Sequence, residues 1–491
     1  MELFFSDVFT VEPDLLEEYG AFNISLINDL PLFVDPFLLF NSDKPAYQEL
    51  HDEILRYLHF LKEMSEDGSI RAGLLSSWFL FPEVKQNWLG YSLVGNDGSG
   101  LGPDFAKALH RNLHTIFSNF GQEGITRSSH LEKLCLIKDG VGRDNISDFT
   151  TNLIKGFLLR YTQTFAQNHI DVGLRKRVTV DRVKFNYDTR SWERGTFDLP
   201  YYNSHYVILT PKDILTKDDT WINKSDLVSD FEDIAHAIPN AQLRDQVNEY
   251  FIRMLPRDPR KAPTKKDIRE AVSHTVGNFP EFIDYYIRYK EDHGDEAKTI
   301  SEQHVREVEF IFIRQLREFA ETLLSLTDFY KTSGGTHEEA RARVFFLKDV
   351  IENKGGHRLF YDAEERPIRR ESDLQILFRL TWIGTSSDIS REVNDGRGPV
   401  DFKISQGRWD KSLVEFKLAK NTHLKQNLEK QVAIYEKASD APKSLRVIIY
   451  FTNDELYRVQ KILKELSLES SPDVILIDAR STNKPSGSKA K

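Results

Sequence analysis

The sequence predicts an α+β protein overall, with an α/β domain in its last third. Apolar residues recur at helical spacing in several segments of the first two-thirds, whereas two alternating strands follow each other closely after residue 399. Further strands then alternate with helical segments, which is typical of a layered α/β domain. At roughly 100–200 residues per domain, the 491 residues predict two to four domains.

Composition limits the classes of protein that this chain can represent. Hydrophobic residues make up 40% and aromatic residues 12%, enough for substantial cores. The single cysteine, Cys135, excludes an intrachain disulfide, and no Cys/His cluster suggests zinc, so we expect a reducing cytoplasm. The N-terminus lacks the pattern of a signal peptide, and no apolar stretch is long enough to span a bilayer, so we expect no membrane partner.

Charge is distributed unevenly along the chain. The formal net charge is −10, but residues 356–491 carry about +4 and the remainder about −14. A surface that binds nucleic acid is therefore expected in the C-terminal part.

Residues 1–225 form a mixed α/β region, interpreted as a sensor or regulatory domain. Gly140–Asp148 precedes a helix, and the favoured interpretation is that Ser147 or Asp148 caps it. The alternative is an anion or nucleotide pocket that uses Arg143. Periodicity predicts two helices, Tyr47–Met64 and Ser147–Ala166, and two strands, Val178–Tyr187 and Tyr206–Thr210.

Residues 226–355 are predicted to be helical and to serve as a connector or an oligomerisation region. Ser301–Tyr330 has the apolar spacing of one long amphipathic helix, which packs between domains or forms a homo-oligomer. Thr336 with Glu339 resembles a capping box that opens a further helix, ending near Asn353.

Two neighbouring strands then bring acidic residues together. Pro399–Ser405 and Leu413–Leu418 alternate apolar and charged residues, and a hairpin symmetric about Arg408 places Asp401 directly opposite Glu415. The Cβ atoms of directly opposed residues lie roughly 4.5–5.5 Å apart, and two carboxylates placed there destabilise a sheet unless a counter-charge is present. Mg²⁺, for which Mn²⁺ can substitute, supplies one. Lys417 points to the same side as Glu415.

The helix that follows, His423–Ala438, places Gln431 and Tyr435 four residues apart on one side. With Gly398-Pro399-Val400-Asp401 and Val414-Glu415-Phe416-Lys417 before it, this order resembles the PD-(D/E)XK, or restriction-endonuclease-like, nuclease superfamily. Val400 intervenes between the proline and Asp401, a departure from the motif's name. The resemblance implies a further acid on an upstream helix, for which Glu371 is the candidate and Asp373 and Glu392 are alternatives.

The resemblance also implies an α/β/α core with a mixed central sheet over residues 356–482, followed by a flexible tail at 483–491. After the helix, Leu445–Phe451 and Val474–Ile477 are predicted strands separated by the helix Asp454–Leu466.

The resulting hypothesis is a Mg²⁺-dependent endonuclease that acts on nucleic acid, with DNA favoured. Asp401 and Glu415 bind the metal, and Lys417 assists the attacking water or the transition state. By analogy with bacterial proteins of this build, we expect a restriction or antiphage defence effector. The predicted contacts to nucleic acid come from basic residues around the site, namely Arg397, Lys403, Arg408, Lys420 and Lys425.

Three alternatives remain open. The charged residues on these strands can form a solvated face with an ordinary ion pair. The C-terminal fold can be a catalytically silent module that binds nucleic acid. The chain can also be chiefly an assembly protein, with helix 301–330 at the interface.

Overall fold

The computed structural model describes most of the chain, and every structural statement below refers to that part. It covers residues 4–26, 29–65, 70–90, 102, 106–107, 109–111, 113, 123–137, 143–217, 219–256, 263–315, 317, 335–354, 356–361, 367, 378, 388–390, 402–406, 410–429 and 443–484. Contacts divide the chain into two compact units. One comprises Glu2–Tyr91 and Asp97–Arg306, and the other comprises Glu307–Lys491.

The N-terminal unit begins with short helices and contains two long ones. Its elements up to residue 216 are α1 (Phe5–Val8), α2 (Pro13–Tyr19), β1 (Phe33–Val34), α3 (Pro36–Phe40), α4 (Pro45–Ser65), α5 (Ala72–Trp78), α6 (Lys133–Ile137), α7 (Arg143–His169), β2 (Arg175–Asn186), β3 (Ser191–Tyr202), β4 (His205–Tyr206) and β5 (Leu215–Thr216). The spacing of apolar residues explains the long helices. In α4, Leu50, Ile54, Tyr57 and Leu61 are buried along one face.

Strands β2, β3 and β4 form an antiparallel sheet that packs against α7. The ladder between β2 and β3 is regular from Arg175 to Val180 and resumes at Lys184. The interruption is a bulge, in which Arg182 adopts a φ of 57°. Bulges of this kind twist a strand and redirect its side chains. A second, two-stranded sheet joins β1 to β5.

The single cysteine lies in the core of this unit. Cys135 is buried on α6, and its thiol donates to the carbonyl oxygen of Glu132 at 2.9 Å. Burial, together with the nearby carboxylates of Glu132 and Asp219, raises the pKa of the thiol well above its ordinary value. The thiol therefore stays protonated in the folded protein.

Six described helices follow in the chain, and polar side chains cap three of them. They are α8 (Lys224–Ser229), α9 (Phe231–Ala237), α10 (Ala241–Met254), α11 (Lys265–Asn278), α12 (Glu281–Asp292) and α13 (Gly294–Glu309). The side chains of Asn223, Asn240 and Thr264 accept hydrogen bonds from the first turns of α8, α10 and α11. A π-helical segment, Phe310–Gln315, continues α13 in the C-terminal unit.

The C-terminal unit is built on a five-stranded mixed sheet. Its elements are α14 (Thr336–Asn353), a 3₁₀ turn (Gly356–Phe360), β6 (Asp388–Ser390), β7 (Phe402–Gln406), β8 (Asp410–Leu418), β9 (Lys443–Tyr450), α15 (Asn453–Glu465) and β10 (Val474–Asp478). The strand order is β10-β9-β8-β7-β6. Strands β6, β7 and β8 are antiparallel neighbours, whereas β8, β9 and β10 are parallel.

Helices cover both faces of this sheet. On one face α14 packs across the strands, and the hydroxyl of Thr336 lies 2.8 Å from that of Ser412. On the other face, Ile448 and Tyr450 of β9 share a hydrophobic cluster with Val459 of α15. Leu424 and Leu428 of the helical residues 424–429 join the same cluster. The unit is thus a sheet between two helical layers, and the chain as a whole is mixed α and β.

Several predicted elements are confirmed. Helices α4 and α7 cover the predicted helices at 47–64 and 147–166, and β2 contains the predicted strand at 178–187 except for its last residue, Tyr187, which lies in the turn after the strand. Strands β8, β9 and β10 and helix α15 occur where expected. The predicted strand Tyr206–Thr210 is wrong beyond residue 206, because the ladder of β4 ends there.

Two predicted helix caps are wrong. Helix α7 already begins at Arg143, so Ser147 and Asp148 lie inside it, and the Ser147 hydroxyl accepts from the backbone N–H of Val34 at 2.9 Å. Thr336 is the first residue of α14 rather than its cap. The N–H of Thr336 donates to Asp410 at 2.8 Å, and Glu339 pairs with Arg343 at 3.0 Å.

The middle region is divided between the two units. Helices α8 to α12 belong to the same unit as residues before 225, and α14 packs on the C-terminal sheet. The sequence predicts one segment over 226–355, and both that division and the roles assigned to the segments remain predictions. Within 301–330, the structure describes helix only to 315 and at residue 317. No helix in the described ranges has the length and apolar character needed to cross a membrane.

Candidate functional site

The site is organised by the hairpin of β7 and β8. Its ladder pairs Gln406 with Asp410 and runs outward to Phe402, which pairs with Val414. Each of its five pairs has the register predicted from symmetry about Arg408. One more step along this register is position 401, which lies outside the described residues. The pairing of Asp401 with Glu415 therefore stays a prediction.

Glu415 lies in the middle of the sheet. Its side chain is 5% exposed, an unusual position for a carboxylate. On the side away from β7, its register partner in the parallel strand β9 is Arg446, which is 8% exposed. Adjacent strands lie about 4.8 Å apart, so this guanidinium-bearing residue and Glu415 are neighbours on one face of the sheet.

Lys417 follows on the same face of β8, because side chains alternate along a strand. It is half-buried, and its partner in β9 is the buried Ile448. Since Ile448 belongs to the cluster under α15, Glu415 and Lys417 point toward the layer formed by α15 and residues 424–429. The structure thus brings the predicted acid and lysine to one face.

The opposite face of β8 is apolar and holds the strand in place. Val414, Phe416 and Leu418 are buried there. The ring of Phe378 lies 4.6 Å from that of Phe416 and 5.0 Å from that of Phe402, measured between centroids. Aromatic contacts of this type add to the stability of a core. They anchor both strands of the hairpin from behind the candidate site.

Arg458 of α15 fixes the turn that leaves β8. Its guanidinium donates to the carbonyl oxygens of Lys420 at 3.2 Å and Asn421 at 2.8 Å. These bonds satisfy carbonyls that the end of the strand leaves unpaired. Neither Arg446 nor Arg458 figured in the sequence predictions. Arg446 could have been noticed as a charged residue near the start of an apolar strand. Its position beside Glu415 could not, because it depends on how the parallel strands β8 and β9 pair, and the sequence does not show that register.

The other predicted site residues are placed as follows. Lys420 and Lys425 are exposed, and the ammonium of Lys425 lies 2.8 Å from a carboxylate oxygen of Glu465. Lys403 is paired with Leu413 and Ser390 in the sheet. The remaining predicted residues lie outside the described part of the chain, namely Asp401, Glu371, Gln431, Tyr435, Arg397 and Arg408.

The described part of the chain holds no group of three or more His, Cys, Asp or Glu side chains that could bind a metal ion. In this part of the site the carboxylate donor is Glu415, and the predicted donor set is completed only by Asp401. Glu415 supplies one of the two carboxylates that the predicted cation site needs, and the other, Asp401, stays a prediction. The neighbouring Arg446 also fits an internal ion pair.

Arg143, which the sequence offered as the centre of an anion pocket, contacts other residues of the N-terminal unit. Its guanidinium lies over the ring of Phe33, 4.7 Å from the centroid, and 3.8 Å from a carboxylate oxygen of Asp219. These contacts occupy the side chain with groups of the protein, and they give no support to an anion site at the start of α7.

Comparison with known proteins gives two matches. A family model described as "Domain of unknown function (DUF8370)" matches residues 10–223, and another described as "Domain of unknown function (DUF8371)" matches residues 336–453. No curated protein and no solved structure matches the chain. The first match lies within the N-terminal unit, and the second runs from α14 past β9 and includes Glu415 and Lys417.

Proposed function

We propose that the C-terminal unit is a metal-dependent nuclease of the PD-(D/E)XK type, with DNA as the favoured substrate. The observation that carries this proposal is the buried carboxylate of Glu415 on a strand whose register leads to Asp401. The order of a strand pair, a helix and a parallel strand between two helical layers supports the same assignment. Family resemblance extends the proposal to Glu371, Gln431 and Tyr435 as further members of the site.

In this proposal, Asp401 and Glu415 hold Mg²⁺ or Mn²⁺. When bound, the ion polarises the scissile phosphate and lowers the pKa of coordinated water. Glu415 is suited to holding a cation because the sheet fixes its backbone and burial strengthens its attraction to positive charge. The strand leaves this side chain little freedom to turn toward solvent.

Lys417 has a separate role. Its half-buried ammonium lies on the same face of β8 as Glu415. There it orients the attacking water and offsets the negative charge that develops on the phosphate during hydrolysis. The exposed Lys420 and Lys425, with Arg397, Lys403 and Arg408, contact the phosphate backbone and supply affinity without sequence preference.

The proposal includes a cytoplasmic location and, by analogy, a role in restriction or antiphage defence. The analogy is to bacterial proteins that join such a nuclease domain to a large accessory region. The N-terminal unit is large enough for that accessory role. Oligomerisation through the region that contains 301–330 belongs to the same proposal.

The first test is nucleic-acid cleavage by purified protein. Plasmid, linear duplex, single-stranded DNA and RNA are incubated with Mg²⁺, Mn²⁺ or EDTA. We expect metal-dependent cleavage that falls at least a hundredfold in Glu415→Gln and in Lys417→Met, because each removes a group of the reacting site. Metal-independent cleavage, or cleavage of none of the four substrates, contradicts the proposal.

Lys411→Met is the matched control for Lys417→Met. Both lysines are half-buried, and the even spacing of β8 places them on the same face of the strand. Lys411 pairs with Ser405 at the end of the hairpin remote from Glu415. We expect Lys411→Met to retain cleavage, and the melting temperature of each variant shows whether it folds.

The position of Arg446 beside Glu415 favours a second candidate, a silent module in which these two residues form an ion pair. Thermal unfolding with and without Mn²⁺ separates the two. A metal site predicts that Mn²⁺ raises the melting temperature of the wild type and not that of Glu415→Gln. An ion pair predicts no effect of Mn²⁺ and destabilisation by both Glu415→Gln and Arg446→Met, because each leaves an unpaired buried charge.

A further inference from the structure

A cavity in the N-terminal unit lies between α4, α7 and the β2–β3 hairpin. Its volume is about 140 Å³. The lining combines five aromatic side chains with three basic ones, and includes a single acid. The aromatic side chains are Tyr57, Phe157, Phe185, Tyr187 and Trp192, the basic ones are Arg56, Arg160 and Lys184, and the acid is Glu53. The charged side chains distinguish this cavity from an empty packing cavity, whose lining is apolar.

The backbone is arranged specifically at this cavity. Gly156 lets α7 approach β2 closely, since a Cβ there would lie 2.7 Å from the carbonyl oxygen of Val183. The bulge in β2 occupies the adjacent residues, and Arg182 within it adopts a left-handed φ of 57°. Such conformations cost free energy in residues other than glycine, and they cluster at binding sites.

The aromatic walls are held in fixed positions. The indole N–H of Trp192 donates to the carbonyl oxygen of Ser77 at 2.9 Å, and the hydroxyl of Tyr57 donates to that of Trp78 at 2.8 Å. The rings of Tyr57 and Phe185 meet edge to face, 4.9 Å apart. A preformed aromatic cavity binds a flat ring with little loss of side-chain entropy.

Basic side chains surround the opening. Arg56, Arg160 and Lys184 are exposed. Arg56 lies over the ring of Tyr187, 4.1 Å from its centroid. No salt bridge joins any of the three to a carboxylate within the described ranges. Their positive charge is therefore available to an anion at the mouth of the cavity.

The size of the cavity limits the group that enters it. Drug-sized ligands occupy roughly 300–1,000 Å³, whereas a cavity of about 150 Å³ accommodates one benzene ring. A single flat ring therefore fits inside, and the rest of the ligand lies at the basic opening. Aromatic walls with cations at the rim match a nucleobase attached to a phosphate.

We propose that this cavity binds a free nucleotide, with the base between the aromatic walls and the phosphate at Arg56, Arg160 and Lys184. A free nucleotide is favoured over a nucleic-acid strand because residues 1–355 carry about −14, which opposes a long polyanion. The site goes beyond the proposed nuclease function and does not depend on it. It gives the N-terminal unit a small-molecule ligand.

The test is calorimetric titration of the full-length protein in EDTA. The probes are the four common ribonucleoside 5′-monophosphates, the four matching nucleosides, ribose 5-phosphate and a tetrathymidylate. We expect at least one monophosphate to bind at least tenfold more tightly than its own nucleoside and ribose 5-phosphate, because of these three it alone presents both base and phosphate. Saturation by none of the monophosphates at millimolar concentration overturns the proposal, as does binding of the tetranucleotide alone.

Three variants locate the binding. Arg56→Ala/Arg160→Ala removes the cationic rim and should weaken binding at least tenfold. Leu153→Phe fills the cavity from a residue that lines it and should weaken binding while retaining all charges. The control Arg177→Ala/Arg194→Ala removes the same charge from exposed positions of the hairpin outside the cavity and should bind as the wild type does.

Unchanged affinity in both cavity variants would place any bound nucleotide elsewhere and refute the proposal. If the control Arg177→Ala/Arg194→Ala weakened nucleotide binding as much as Arg56→Ala/Arg160→Ala, the loss would reflect net charge alone, and the proposal would also be refuted. The Lys417→Met protein is titrated in parallel. It should bind the monophosphate as the wild type does, so that failure of the nuclease proposal and failure of this one are distinguishable.

Discussion

At the scale of single residues, this protein places several ionisable groups where water is scarce. Glu415 and Arg446 lie side by side in the C-terminal sheet, and Asp35 caps α3 from a buried position. Burial raises the pKa of Asp35 to about 6, although backbone N–H groups of Trp221 and Phe37 donate to it. A carboxyl whose pKa is raised by burial, as that of Asp35 is, makes folding stability depend on pH.

Asp148 offers the clearest test of this dependence. It lies inside α7, where burial raises its pKa to about 8 and the carboxylates of Glu83 and Asp144 contribute in the same direction. A carboxyl with a raised pKa binds its proton more tightly in the folded state. Its stabilising contribution is therefore complete below about pH 4 and is lost as the pH rises toward 8.

We predict that Asp148→Asn is stabilised relative to the wild type by an amount that grows by about 3–4 kcal/mol between pH 5 and pH 8. Chemical denaturation at several pH values measures the difference. Asp188→Asn, in the exposed turn between β2 and β3, is the control and should show no such trend. A difference independent of pH would contradict the prediction.

At the scale of elements, close approach between a helix and a strand shapes the N-terminal unit. Gly156 of α7 faces the carbonyl oxygen of Val183, whereas a Cβ on Gly277 of α11 would meet no atom within 4 Å. Alanine normally stabilises a helix interior relative to glycine, by about 1 kcal/mol. The two glycines should therefore respond in opposite ways.

We predict that Gly156→Ala destabilises the protein by about 1–3 kcal/mol, because the new methyl group forces α7 away from β2. Gly277→Ala is the matched control and should be neutral or stabilising. Thermal or urea unfolding of both variants checks the prediction. Similar effects of the two substitutions would show that the contact at Val183 is unimportant.

The elements also show where sequence patterns succeed. Long amphipathic helices such as α4 and the alternating strand β8 were predictable, because one period runs through many residues. The hairpin register was predictable because a short turn leaves few alternatives. The caps of α7 and α14 were not, since Ser147 and Thr336 bond to residues far away in the chain. Local motifs cannot reveal such partners.

At the scale of the whole molecule, the chain consists of two units that meet in sequence near Arg306. The predicted nuclease residues belong to the second unit, and the aromatic cavity belongs to the first. The face shared by Glu415 and Lys417 followed from the alternation of β8. Arg446 beside Glu415 and the cavity did not, because both arise from elements that pack together across dozens of intervening residues.

The solitary thiol makes the first unit observable by itself. Because Cys135 is enclosed and protonated in the native fold, a thiol reagent should modify it only when that unit opens. We predict slow, single-site alkylation under native conditions and rapid alkylation in denaturant, followed by mass spectrometry. Fast native labelling would contradict it. The alkylation rate of this one sulfur atom therefore reports how often the N-terminal unit opens, and no engineered label is needed.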